Sequence, residues 1–138
     1  MILLDTNLIS EPLRPAPDPN VIAWIDAQPV QTLFLSAVTV AELRFGIASL
    51  PAGKRRDALR DRIESQVLPV FTGRVLAFDL TATQPYADLL TKAKSKGQVI
   101  ALSDAYIAAI ALAHGMSVAT RDVTPFKAAG VAVINPWK

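Results

Sequence analysis

The chain has no cysteine, so neither a disulfide framework nor a thiolate metal site can form. It has a single histidine, His114, which together with the missing thiols excludes a typical zinc centre. Its longest apolar run, Ala105 to Ala113, is far short of the ~18 residues needed to cross a bilayer. The chain enters a strand-like MILLD at once, without a basic stretch followed by a long apolar one, so the expectation is a soluble, cytoplasmic protein with no membrane association. Internal repeats and low-complexity segments are also lacking, which excludes solenoids and disordered linkers.

What remains is a strongly apolar chain. Of its 138 residues 51% are hydrophobic and 19% charged, with a mean hydropathy of +0.34, too apolar for disorder. A chain of this length hides roughly 70% of its unfolded surface, enough for one domain spanning 1–138. Helices packed on both faces of a sheet would achieve such burial.

Hydrophobic periodicity divides the chain into alternating elements. Strands are expected at Ile2 to Leu4, Leu33 to Leu35, Val75 to Phe78, Ser117 to Thr120 and Val131 to Ile134. Between Glu11 and Asn20, Pro12, Pro15, Pro17 and Pro19 forbid extended regular structure and mark a loop that leads into a helix near Val21 to Asp26. After Ser36 a helix carries Val40, Leu43, Ile47 and Leu50 as its apolar stripe, and Pro51-Ala52-Gly53 ends it. The next helix, Lys54 to Leu68, puts Leu59, Ile63 and Val67 on one face. Thr81 to Lys96 reads as a helix closed by Gly97, Ser103 as the cap of a buried helix that begins at Asp104 and ends at His114-Gly115, and Phe126 to Ala129 as a short helix. Strands alternating with helices imply an α/β, three-layer domain on a parallel sheet, which binds ligands outside the carboxyl ends of its strands.

Four carboxylates fall at that rim. Asp5 and Asp122 follow strands, Asp104 opens a helix, and Glu42 lies about one turn into a helix that follows a strand directly. Each alone has an ordinary reading: a turn former, a loop residue, a first-turn acid favoured by the helix dipole, an exposed helix position. Jointly they read as a cation site, because carboxylates beside sequence as apolar as MILLD and SVATRD lose hydration on folding. An oxygen-only donor set points to Mg²⁺ or Mn²⁺, and such a site suits hydrolysis of a nucleic-acid phosphodiester. Net charge is only +2, yet with four of the twelve acids committed to one site the rest of the surface is more basic than that total.

The blocks MILLDTNLISEPLRP, LSAVTVAELRFGI, SDAYIAAIALAHG and SVATRD…VAVINPW, in this order and spacing, resemble the PIN-domain toxins of the VapC type, most closely the FitB-like branch. The resemblance runs from Met1 to Trp137 and implies a metal-dependent endoribonuclease with a four- or five-stranded parallel sheet. It implies that Asp5, Glu42, Asp104 and Asp122 form the catalytic quartet. Asp5, Asp104 and Asp122 would hold the Mg²⁺ or Mn²⁺, and Glu42 would complete the set or orient the attacking water. It also implies an RNA substrate, a homodimer, a cognate antitoxin that blocks the groove, and operator DNA bound through that antitoxin. Asn7, Ser36 and Thr120 are expected to orient the carboxylates by hydrogen bonding.

Arg44, two residues from Glu42, and Arg121, beside Asp122, are candidate phosphate contacts or simply neutralise the acidic cluster. The basic groups Lys54-Arg55-Arg56, Arg60, Arg62 and Lys92, Lys94, Lys96 could track RNA or form a solvated helix face, and Asp57, Asp61 and Glu64 dilute the first group. His114 is placed to satisfy helix-end carbonyls, Trp24 and Trp137 to pack or dimerise, and Tyr106 to sit in the core. A competing reading is a module that binds its antitoxin and modulates operator binding with little or no catalysis. A phosphotransfer domain would want a second Asp two residues after the first, and here position 7 is Asn.

Overall fold

A computed structural model describes residues 1–138. Five strands form one parallel sheet: β1 (Ile2–Leu4), β2 (Leu33–Ser36), β3 (Val75–Leu76), β4 (Ser117–Ala119) and β5 (Val133–Ile134), in the order β3-β2-β1-β4-β5. Seven helices complete the layers: α1 (Thr6–Ser10), α2 (Pro19–Ala27), α3 (Ala37–Ala48), α4 (Lys54–Arg62), α5 (Leu80–Ser95), α6 (Leu102–His114) and α7 (Val123–Ala128). No helix is long and apolar enough to cross a membrane.

Alternation along β1 builds two cores at once. Leu3 joins Val118, Phe126 and the apolar body of α6 on one face. Leu4 joins Leu8, Leu35 and Ile63 on the other. Alanines 105, 108, 109 and 111 are buried in α6, and these small side chains let the helix lie close to the sheet and to α5.

Several boundaries differ from those expected. Helix α1 is not among the expected elements; at five residues it is too short to show a period, and Asp5 caps it by accepting from the Thr6 amide at 2.8 Å. The helix expected from Lys54 to Leu68 is α-helical only to Arg62. It widens into a π turn over Ile63–Val67 and tightens into a 3-10 turn over Leu68–Phe71, where Pro69 has no amide hydrogen to continue the i→i−4 ladder. Ile63 is fully buried, whereas Leu59 and Val67 are half-buried. Strand β3 stops at Leu76, and Phe78 instead packs edge-on to Tyr86 and Tyr106. Val131 lies before β5, buried in the turn that follows α7. Helix α6 starts two residues earlier than read: Ala101, not Ser103, is its cap, and the Ala101 carbonyl accepts from the Ala105 amide at 2.9 Å. Asp104 is thereby the third residue of the first turn. Gly97 closes the turn after α5 with φ of 69°, a left-handed conformation that favours glycine.

The proline segment is held by a buried acid. Glu11, 3% exposed, accepts from the Asp18 amide at 3.2 Å, from Arg14 at 3.2 Å and from the Trp137 indole at 3.4 Å, tying the carboxy-terminal residues to the segment after α1. Burial alone would push its carboxyl up, but the Asp18 amide and Arg14 outweigh it and hold the carboxyl below its ordinary range. The interaction therefore stabilises the fold above the ordinary glutamate pKa of 4.5 and is lost as pH falls through the lowered folded value. Glu11→Ala should cost about 2 kcal/mol in urea unfolding at pH 7, and the difference from wild type should shrink as the pH is taken well below 4.

Candidate active site

The sheet reverses its winding between β1 and β4, and the crevice outside this switch point is where an open α/β sheet takes its ligand. Asp5 stands at the carboxyl end of β1, its amide bonded to the Ala119 carbonyl at 3.0 Å, and is 5% exposed. Thr120, fully buried at the end of β4, donates its hydroxyl to Asp5 Oδ2 at 2.8 Å and accepts from the Asp122 amide at 3.0 Å. One hydroxyl thus links the turns that carry two of the acids. Asn7 donates to Asp5 Oδ2 at 3.5 Å and to Thr120 at 3.4 Å, and its Oδ1 accepts from the Arg121 amide at 3.2 Å.

Glu42 comes from α3, where it is half-buried, and Asp104 from the first turn of α6, also half-buried; Asp122 is exposed. Thr6, not among the residues expected at the site, donates its hydroxyl to Glu42 Oε1 at 2.6 Å. The only signal for it was its place directly after Asp5.

The four acids act on one another electrostatically. Burial pushes the Asp104 carboxyl up to about 6, with further upward pressure from the charges of Asp5, Asp122 and Glu42. Asp5 is raised chiefly by burial and also by Glu42 and Asp122, against hydrogen bonds from Thr120 and Thr6 that lower it. None of the four forms a salt bridge; the ion pairs of the chain are Arg14–Glu11, Arg44–Glu64, Arg56–Asp57 and Arg60–Asp57. No three acidic or histidine side chains stand ready as a metal-holding group.

The other expected contacts fall differently. Ser36 is buried, but it caps α3, accepting from the Thr39 amide at 3.0 Å and donating to the Thr39 hydroxyl, so it orients a helix and not a carboxylate. Arg44 makes a two-pronged pair with Glu64 at 2.8 and 3.1 Å. Two positions along a helix turn it by about 200°, away from the Glu42 side and into a different surface recess. Arg121 neither contacts nor neutralises an acid; its guanidinium lies 5.8 Å over the Trp137 ring. Tyr106 is half-buried and not core, stacked on Tyr86 with centroids 5.0 Å apart. His114 is exposed at the end of α6, and Trp24 and Trp137 pack against the second core.

A groove of about 930 Å³ opens beside Glu42 between α1, α3 and α4. Thr6 and Glu42 lie in its wall, Leu43 and Ile47 in its apolar lining, and Arg55 and Arg62 also border it.

The model of one family, the PIN domain, matches residues 2–131. The chain is a PIN domain. It is 60% identical over its whole length to the VapC ribonuclease Y4jK of Sinorhizobium fredii, covering 99% of that protein. It is 53% identical over 137 residues to Toxin FitB of Neisseria gonorrhoeae, covering 99% of each. Among solved structures, that of FitAB bound to an IR36 DNA fragment superposes with a TM-score of 0.97 at 52% identity, covering 100% of this chain and 96% of that one. This PIN domain therefore belongs with the VapC- and FitB-like proteins.

The raised carboxyls carry a sign that can be checked. Between the unfolded value of 3.8 and the folded value of about 6, Asp104 stays protonated in the folded state while the unfolded chain ionises, so its contribution falls as pH rises through that window. Asp104→Asn should raise the stability of the metal-free protein by about 1 kcal/mol above pH 6, after allowing for solvent screening, a gain of a few degrees in Tm. That gain should vanish as the pH approaches 4, measured by calorimetry in chelator.

Proposed function

We propose that this PIN domain is a metal-dependent endoribonuclease, the toxin of a toxin–antitoxin pair. The observation that carries the reading is the mutual electrostatic influence of Asp5, Glu42, Asp104 and Asp122 near the switch point of the sheet, with none of the four in a salt bridge. A set of oxygen donors whose protons are held by burial and mutual repulsion fits a hard divalent ion, Mg²⁺ or Mn²⁺, better than any other partner. Asp5, Asp104 and Asp122 would hold it, with Glu42 completing the set or orienting water. When bound, such an ion supplies charge neutralisation at the phosphate and a more acidic water.

The chain's own residues do the rest. Asp5 is fixed by the Thr120 hydroxyl and the Thr6 amide, so it meets a ligand without first having to be ordered. Thr120 also holds the Asp122 amide, keeping the turn after β4 against the turn after β1. Asn7 accepts from the Arg121 amide and so braces the same two turns. Arg121, resting on Trp137, is a cation free of acidic partners at this rim and is available to an RNA phosphate.

The relatives support the substrate and the partners. One is named a ribonuclease and another a toxin, and solved complexes of VapBC and FitAB type include DNA fragments. We extend these to this chain as an RNA substrate, a homodimeric toxin, a cognate antitoxin seated in the groove beside Glu42, and operator DNA bound through that antitoxin. The cytoplasm, where RNA and operator both lie, is its proposed compartment.

The decisive assay incubates purified, antitoxin-free protein with a mixed RNA pool in Mg²⁺, Mn²⁺ or EDTA, beside a folded Asp5→Asn control. Cleavage should require the metal and fall by roughly 100-fold or more in the mutant. Absence of cleavage by folded, metal-supplied protein would favour a module that only binds its antitoxin and modulates operator binding.

A further inference from the structure

We propose that Thr6 is a positioning residue for Glu42, acting through its hydroxyl; the inference rests on the proposed nuclease function and names a group that serves it. Glu42 is a long side chain on α3 in the wall of an open groove, and the Thr6 hydroxyl at 2.6 Å is its one hydrogen-bond partner in the protein. It occupies Oε1 and leaves Oε2 without a protein partner.

Thr6 is well suited to hold it. As the first residue of α1, it uses its amide to donate to Asp5 Oδ1 at 2.8 Å, while its carbonyl accepts from the Ser10 hydroxyl at 2.8 Å. The main chain of Thr6 is thus committed to Asp5 and its side chain to Glu42. One residue sets the spacing between an acid rooted in the sheet and an acid rooted in a helix 36 positions beyond Thr6 itself. Branching at Cβ restricts the Thr6 rotamer, so the hydroxyl direction is inherited from the backbone turn.

The test uses the intact protein with Mn²⁺ as the probe. Thr6→Val removes the hydroxyl at nearly constant volume, Thr6→Ser keeps it, and both are combined with Glu42→Gln. Mn²⁺ binding is followed by titration calorimetry and RNA cleavage as separate kcat and KM values, with thermal melts confirming the fold. Thr6→Val should weaken Mn²⁺ binding and lower kcat by roughly tenfold each, with KM for RNA unchanged. Thr6→Ser should stay within about threefold of wild type, and Thr6→Val should cost nothing further in the Glu42→Gln background. A folded Thr6→Val that binds Mn²⁺ and cleaves like wild type overturns the inference alone, as do losses that Thr6→Ser fails to restore or that add to those of Glu42→Gln. If wild type neither binds Mn²⁺ nor cleaves RNA, the nuclease reading falls and this inference falls with it.

Discussion

Negative charge that the protein gathers but does not neutralise governs this molecule. Bringing four carboxylates to one rim, one of them 5% exposed, opposes folding through lost hydration and mutual repulsion. The two hydrophobic cores offset that cost, and both are anchored on β1. Leu3 enters one and Leu4 the other, so the strand that ends in Asp5 is the seam of the whole domain. The chain carries fourteen lysines and arginines, yet its ion pairs engage Glu11, Glu64 and Asp57 and leave the four acids alone.

Hydroxyls and amides, not cations, hold this charge in place. Thr120 serves Asp5 and the Asp122 amide, Asn7 spans the same two turns, and Thr6 reaches from Asp5 to Glu42. Neutral donors orient a carboxylate without cancelling its charge, which keeps the site attractive to an external cation. A lysine or arginine in the same place would satisfy the fold and close the site.

The fold class was legible because the strands are short apolar runs separated by helices with clear stripes, and the parallel sheet follows from that alternation. The acids were legible as residue types at strand and helix ends. What could not be read was direction. Arg44 and Glu42 are neighbours in sequence but lie on different sides of α3, and only the position of Glu64 shows where Arg44 goes. Ser36 lies at a strand end like the acids, yet its hydroxyl is taken by Thr39, a local cap that competes with any longer-range role. Thr6 and Glu42 are brought together by tertiary packing of α1 on α3, which no spacing along the chain encodes. The widening of the helix after Arg62, where Ile63 is buried, likewise leaves no mark in the periodicity.

The seam at β1 divides the labour of the molecule. The roots of Asp5 and Asp122 are strands and turns locked between two cores, whereas the groove beside Glu42 is walled by helices with much of their surface in solvent. Side chains on those walls, such as Arg55 and Arg62, can be exchanged without disturbing the sheet. Under the proposed function, recognition would diversify along the groove while the chemistry beneath it stays unchanged, and two such proteins in one cell would ignore each other's partners.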